Sequence, residues 1–147
     1  MTMPDVPAGG SKTVAQIDAT NALKFYAEQN GLSVAAALLS THTVGAPVVD
    51  SNGAYLGFIN EYDVLKMLDK GRDLRKLQAR DIMRSDRLVI TPVTTLAEAA
   101  KLMEQHQVLN LPVERGGVVA YSISRHDLLR VRIDGNWEIL SRDVDVD

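Results

Sequence analysis

The alternation of apolar and polar positions is clearest in the second half of the chain. Arg87-Leu88-Val89-Ile90 is a short β-type run closed by Thr91-Pro92, because proline has no amide hydrogen for a ladder and holds its predecessor extended. Leu96, Ala99, Ala100 and Met103 then recur at the i, i+3, i+4, i+7 spacing of one helical face. Glu98, Lys101, Glu104 and Gln105 take the other face, and the helix is predicted to close near His106-Gln107. Leu111-Pro112-Val113 and Val118 to Ile123 follow as two strands around Gly116-Gly117, a pair suited to the positive φ of a tight turn. A last helix starts where the cap Ser124 is followed three residues on by Asp127, and Leu128, Leu129, Val131 and Ile133 supply its apolar face. The pattern is strand, helix, strand, strand, helix.

The first half repeats it. A shift of 64 residues lays Leu32 on Leu96, Ala35 and Ala36 on Ala99 and Ala100, Leu38 on Leu102, His42 on His106 and Val44 on Val108. With a one-residue slip around Pro47 and Pro112, it continues through Gly53 on Gly117, Ile59 on Ile123, Asp63 on Asp127 and Leu65 on Leu129. In this copy the turn is Asn52-Gly53, the helix start is Asn60-Glu61-Tyr62-Asp63, and Val64, Leu65 and Leu68 form the apolar face. Between the copies, Asp69 to Asp86 mixes both charges, with Leu74, Leu77 and Ile82-Met83 spaced for a connecting helix to dock. The boundaries are an N-terminal extension over 1–21, a first repeat over 22–69, a connecting segment over 70–86, a second repeat over 87–133 and a tail over 134–147.

At 147 residues, with 46% hydrophobic and 24% charged positions, the chain can bury a core without disulfides. The absence of cysteine removes disulfides, thiolate metal sites and cysteine nucleophiles. A net charge of -3 gives no global attraction to nucleic acid or an anionic membrane, so neither partner is expected. No apolar run approaches the roughly 20 residues that span a bilayer, and Met1 to Ser11 has neither a basic start nor an apolar h-region, so a cytoplasmic protein is expected. Lys70, Arg72, Arg75, Lys76, Arg80, Arg84 and Arg87 are interleaved with Asp69, Asp73, Asp81 and Asp86, as on a solvated connecting helix with i,i+4 pairs. His42 and His106 fit helix C-termini better than a metal site. With no Gly-x-Ser-x-Gly, no His-Glu-x-x-His and no nucleophile with a base, no enzyme is expected.

The order of these features resembles a tandem pair of CBS domains, the Bateman module. The resemblance rests on Asp81-Ile82-Met83 before the second copy, on Pro47-Val48-Val49-Asp50 and Pro112-Val113, and on the Gly-x-x-[Ser/Thr]-x-x-Asp pattern at the end of each copy, with Asn60 for the hydroxyl in the first and Tyr121 for the glycine in the second, over Ala22 to Ile133. It implies a mixed α/β (α+β) fold in which two β-α-β-β-α repeats, related by a pseudo-twofold axis, pack as one disc-like module with two clefts between them. It further implies a regulatory sensor, a homodimer of such pairs signalling to an unidentified effector protein. The implied ligand is an adenine nucleotide (AMP, ADP or ATP, with or without Mg²⁺) or an adenosyl compound. The family's ribose contact falls on Asp127 and Asp63, and its polar companion on Ser124 and Asn60.

The residue chemistry agrees. An ionised carboxylate accepts both hydroxyls of a ribose diol, and Arg125, His126 and Arg130 surround a helix N-terminus suited to phosphate, onto which an arginine can fork. Ile90, Thr91, Leu111 and Pro112 would wall the base. Tyr121 stands where the first copy has Gly57, to stack on a base or to fill the cleft. The second copy fits better, since in the first Asn60 replaces the hydroxyl and Glu28 would repel phosphate. The competing reading is a structural oligomerisation module with non-binding clefts, in which Ser124 and Asp127 form only a capping box.

Overall fold

A β-hairpin forms the centre of each repeat in the computed structural model, which describes residues 12–18 and 21–133. In the first repeat β1 (Phe25–Tyr26) leads to α1 (Gly31–Thr41), then β2 (Gly45–Val49), β3 (Tyr55–Asn60) and α2 (Glu61–Asp69). After a 3-10 turn at Leu74–Lys76 and the one-turn helix α3 (Ala79–Ile82), the second repeat gives α4 (Leu96–His106), β4 (Asn110–Arg115), β5 (Val118–Ser124) and α5 over 125–133. β2 pairs antiparallel with β3 from Gly45↔Asn60 to Val49↔Tyr55, and β4 with β5 from Asn110↔Ser124 to Arg115↔Val118, each with one irregularity near the turn. β1 adds in parallel through Phe25↔Val48 and Tyr26↔Val49. Its counterpart is shorter than the sequence predicts. The Arg87-to-Ile90 run contributes a single parallel bridge, Ile90↔Val113. The expected connecting helix is likewise reduced to the 3-10 turn and α3.

Local signals fix the helices. The Asn30 side chain accepts from the Leu32 and Ser33 amides at the start of α1, and Thr95 and Glu98 form a reciprocal box at the start of α4. The helices end at His42 and Gln107, both left-handed with φ 53° and 56°. These caps correct the repeat register. The helices correspond at a shift of 65, while the closing helices keep 64, with Asn60 matching Ser124 and Asp63 matching Asp127. Gly31, not Leu32, therefore stands in the place of Leu96, and His42 matches Gln107 rather than His106. Burial agrees, since Leu96 is fully buried while Leu32 is 48% exposed. A Cβ on Gly31 would lie 2.7 Å from the Leu74 carbonyl, so the connecting segment leaves no room there for a side chain.

Two cores result. Phe25, Val34, Leu38, Val48, Ile59 and Val64 form the first and are closed by Leu74, Leu77, Ala79 and Ile82 of the connecting segment. Leu96, Ala99, Met103, Leu111, Val113, Ile123 and Leu128 form the second, and they are closed by Val14 and Ile17. Residues that precede the first repeat thus serve the second as the connecting segment serves the first. The backbone bridges Asn30↔Gln78 and Thr13↔Thr95 mark the two equivalent dockings. Val49, Tyr55 and Val119 join the halves in a third, small cluster. Of the apolar residues assigned to α2 and α5 by periodicity, Val64 and Leu128 face the cores, while Leu65, Leu68 and Leu129 are half or more exposed. No helix among the described residues is long and apolar enough to cross a membrane.

Candidate functional site: a cleft between the repeats

The start of α2 and the entry to β4 meet across the seam between the repeats and enclose a pocket of about 370 Å³. Asn60, Glu61 and Tyr62 line it from the helix start, Val44 and Phe58 from the same repeat, and Arg84 from the connecting segment. Gln107, Val108, Leu109 and Asn110 complete it from the second repeat. A much smaller cavity, a throat that shares Phe58, Arg84, Val108 and Asn110 with it, is bounded also by Tyr55, Asp86, Leu88 and Pro112. There the Tyr55 hydroxyl donates to the Asp86 carbonyl at 2.9 Å. Burial first, and the Asp86 carboxylate second, push the Tyr55 phenol up to about 12, so it stays a neutral donor.

Asp63 does not line the cleft itself; it is 5% exposed and contacts two residues that do, Asn60 and Arg84. Its Oδ2 accepts from the Asn60 amide at 2.9 Å, while the Asn60 side chain accepts from the Asp63 amide, a closed capping box. Arg84 Nε stands 3.4 Å from the same Oδ2 without the geometry of a hydrogen bond. Oδ1 receives no hydrogen bond among the described residues. The buried side-chain polar atoms left without a partner there are Arg84 Nε and Ser122 Oγ, so Asp63 Oδ1 still reaches solvent.

Asp127 repeats the box, its Oδ2 accepting from the Ser124 amide at 2.8 Å and its own amide donating to Ser124 Oγ. Here Oδ1 is also engaged, by Arg130 Nη2 at 2.8 Å. The carboxylate borders a separate pocket of about 360 Å³ shared with Lys12, Gln16, Ile17, Asp18, Arg130 and Val131.

The other residues singled out from sequence are spread more widely. Ile90 and Leu111 are buried in the second core, because strand residues on the inner side of the pleat pack inward. Thr91 is exposed in the turn before α4, its amide donating to Thr94 Oγ1. Pro112 forms part of the throat beside the first-copy motif. Tyr121 packs against the second core. Arg125 and His126 are exposed on the first turn of α5, and Arg125 borders a groove against α4. Glu28 pairs with Arg80 at 2.6 Å on the surface. Arg75, Arg84 and Arg87 pair with Asp73, Asp63 and Glu114, none of these contacts at the i,i+4 spacing expected. Sequence reasoning missed Arg84, Phe58, Tyr62, Val108, Leu109 and Asn110. Arg84 had a signal, since it directly follows Asp81-Ile82-Met83; the others depend on which repeat faces which.

The sequence model of the CBS domain matches residues 14–70 and 79–134. The chain belongs to the CBS domain family. A CBS domain-containing protein of Bacillus subtilis, YhcV, is 32% identical over 80 residues, covering 54% of this chain and 56% of that protein. This CBS pair therefore spans about half the length of that relative, and about a quarter of the enzymes among its curated relatives. Among solved structures, CBSX2 in complex with AMP superposes with a TM-score of 0.72 at 22% identity, covering 84% of this chain and 97% of that one. The CBS domain pair of MJ0100, in complex with 5′-methylthioadenosine and S-adenosyl-L-methionine, gives 0.72 at 19% identity, covering 82% and 94%.

Proposed function

We propose that this CBS pair is a cytoplasmic regulatory module that binds an adenine nucleotide or adenosyl compound in the cleft between its repeats and signals to a partner protein. The observation that carries this is a cleft that presents an arginine and an apolar wall, two of whose lining residues, Asn60 and Arg84, contact an aspartate, Asp63, with one carboxylate oxygen unbonded among the described residues. Asp63 accepts the ribose diol, Asn60 fixes the helix start that aims it, and Arg84 meets a phosphate or other 5′ group. Phe58, Val44, Val108 and Leu109 offer the flat apolar surface a base needs, with Tyr62 at the rim. The AMP held by CBSX2 and the adenosyl compounds held by MJ0100 support the ligand class. Ser124, Asp127, Arg125 and His126 form the equivalent set of the second copy. Binding changes output only if the ligand prefers one packing of the two repeats over another.

The competing reading, an oligomerisation module, has its own observation. Leu39, Leu65 and Leu68, 70%, 52% and 50% exposed, border an apolar groove between α1 and α2 that a second copy of the chain would cover. A thermal-shift panel of AMP, ADP, ATP with and without Mg²⁺, methylthioadenosine, S-adenosylmethionine and guanine counterparts separates the two. A ligand at 100 times its dissociation constant stabilises by about 2.7 kcal/mol. A rise confined to adenine compounds supports the sensor. A flat panel on nucleotide-stripped protein, with a stable dimer in solution, supports the assembly module.

A further inference from the structure

The two aspartates at equivalent positions each have an arginine beside them but on different oxygens, Arg84 Nε lying 3.4 Å from Asp63 Oδ2 and Arg130 Nη2 donating to Asp127 Oδ1. Asp127 has both carboxylate oxygens engaged within the chain, Oδ2 by the Ser124 amide and Oδ1 by Arg130. Asp63 has only Oδ2 engaged. The residue equivalent to Arg130 is Lys66, and its ammonium lies 4.9 Å over the Tyr62 ring instead of on the carboxylate. A lysine offers a point charge that the ring can hold, whereas the arginine fork reaches back one helical turn to the carboxylate.

The walls differ in the same sense. At the Asp63 end Phe58 supplies a ring, and its equivalent at the other end is Ser122, a buried hydroxyl without a partner. Val44, which by the repeat matches Leu109 and would wall the Asp127 end, lines the Asp63 cleft. The pocket beside Asp127 is instead bordered by Lys12, Gln16 and Asp18.

We infer that the module holds one ligand per chain, at the Asp63 cleft, and that Arg130 keeps the second site shut by occupying the oxygen a ribose would need. The inference rests on the sensor reading proposed above and adds the stoichiometry and the residue that sets it. A diol reaching Oδ1 of Asp127 must compete with a charge-assisted hydrogen bond of 2.8 Å, whereas Oδ1 of Asp63 accepts none from the described residues, its Arg84 ion pair lying on Oδ2. Arg130 itself is 44% exposed, so its removal leaves no cavity in the core.

The test is isothermal titration with AMP and with methylthioadenosine on four proteins: the wild type, Asp63→Asn, Arg130→Ala and the double variant. Circular dichroism confirms folding, and Arg130→Lys serves as a milder substitute for Arg130→Ala. The expected stoichiometries are one ligand per chain for the wild type, none for Asp63→Asn, two for Arg130→Ala and one for the double variant. Two ligands on the wild type, wild-type binding by Asp63→Asn, or an unchanged single site in both Arg130 variants would each overturn the inference while leaving the sensor reading standing. Absence of binding by the wild type to every adenosyl compound overturns both.

Discussion

The side-chain amide of Asn110 donates to the backbone carbonyl of Gly45 at 2.7 Å, and both residues are buried. They occupy equivalent places, the first residues of β4 and β2, so the bond ties together the points where each repeat enters its hairpin. The tie is asymmetric by necessity. A Cβ on Gly45 would lie 2.6 Å from the Phe58 ring, so only one of the two positions can carry a side chain.

Asn110→Ala removes that donor from a buried bond across the seam. A buried acceptor stripped of its partner costs about 1–3 kcal/mol, and the urea midpoint is expected to fall accordingly. Because Asn110 also lines the cleft, ligand affinity should drop in the same variant. A midpoint equal to wild type would show the bond to be energetically idle.

Val14→Ala tests the docking of the N-terminal segment. Val14 is fully buried in the second core, and truncating it is expected to cost roughly 2 kcal/mol from lost burial and residual cavity. Hydrogen exchange should accelerate first in α4, beside the Thr13↔Thr95 bridge, rather than in α1.

Tyr55 predicts the alkaline limb of the stability curve. Its pKa is raised in the folded protein to about 12 from 10.0, so its contribution is complete below pH 10. Above that the unfolded chain releases the phenolic proton while the folded chain retains it, and stability falls until about pH 12. Tyr55→Phe should lose a hydrogen bond at neutral pH and show a flatter fall in denaturant midpoint across that interval.

Charge in the cleft sets a preference among nucleotides. Arg84 is the lone cation lining it among the described residues; Glu61 lines it too, and Asp86 stands in the throat. AMP is expected to bind more tightly than ATP, with Glu61→Gln narrowing the gap by about fivefold, the scale of a partly exposed charge pair. Arg84→Ala should weaken AMP roughly tenfold or more, as expected for a charged hydrogen bond, and methylthioadenosine far less. Equal losses for both ligands would place Arg84 away from the 5′ group.

The parts of the fold visible in the sequence were those written in local chemistry. The Asn60 and Ser124 capping boxes, the Gly53 and Gly116-Gly117 turns and the Ala-rich helix faces each declare themselves within a few residues, and their recurrence revealed two copies. The register of α1 against α4 did not, because matching leucines and alanines align at a shift of 64 while burial and capping obey 65. Of the residues singled out from sequence, Asn60 lines the cleft and Asp63 is bonded to it. The walls of the cleft were not legible, since Ile90 and Leu111 are as apolar as Val108 and Leu109, and only the fold decides which pair is buried in the core and which lines the cleft. Nor could sequence show that Lys66 turns to Tyr62 while Arg130 turns to Asp127.

The exchange of docking segments makes the order of elements along the chain differ from their order in space. The second core is finished by residues that precede the first repeat along the chain, and the first core by residues that follow it. Neither repeat can therefore be excised as a self-sufficient unit, and pulling on residue 12 would load the second repeat before the first. Mechanical force applied at the N-terminus and heat applied to the whole molecule should accordingly break the same two-part assembly in different orders.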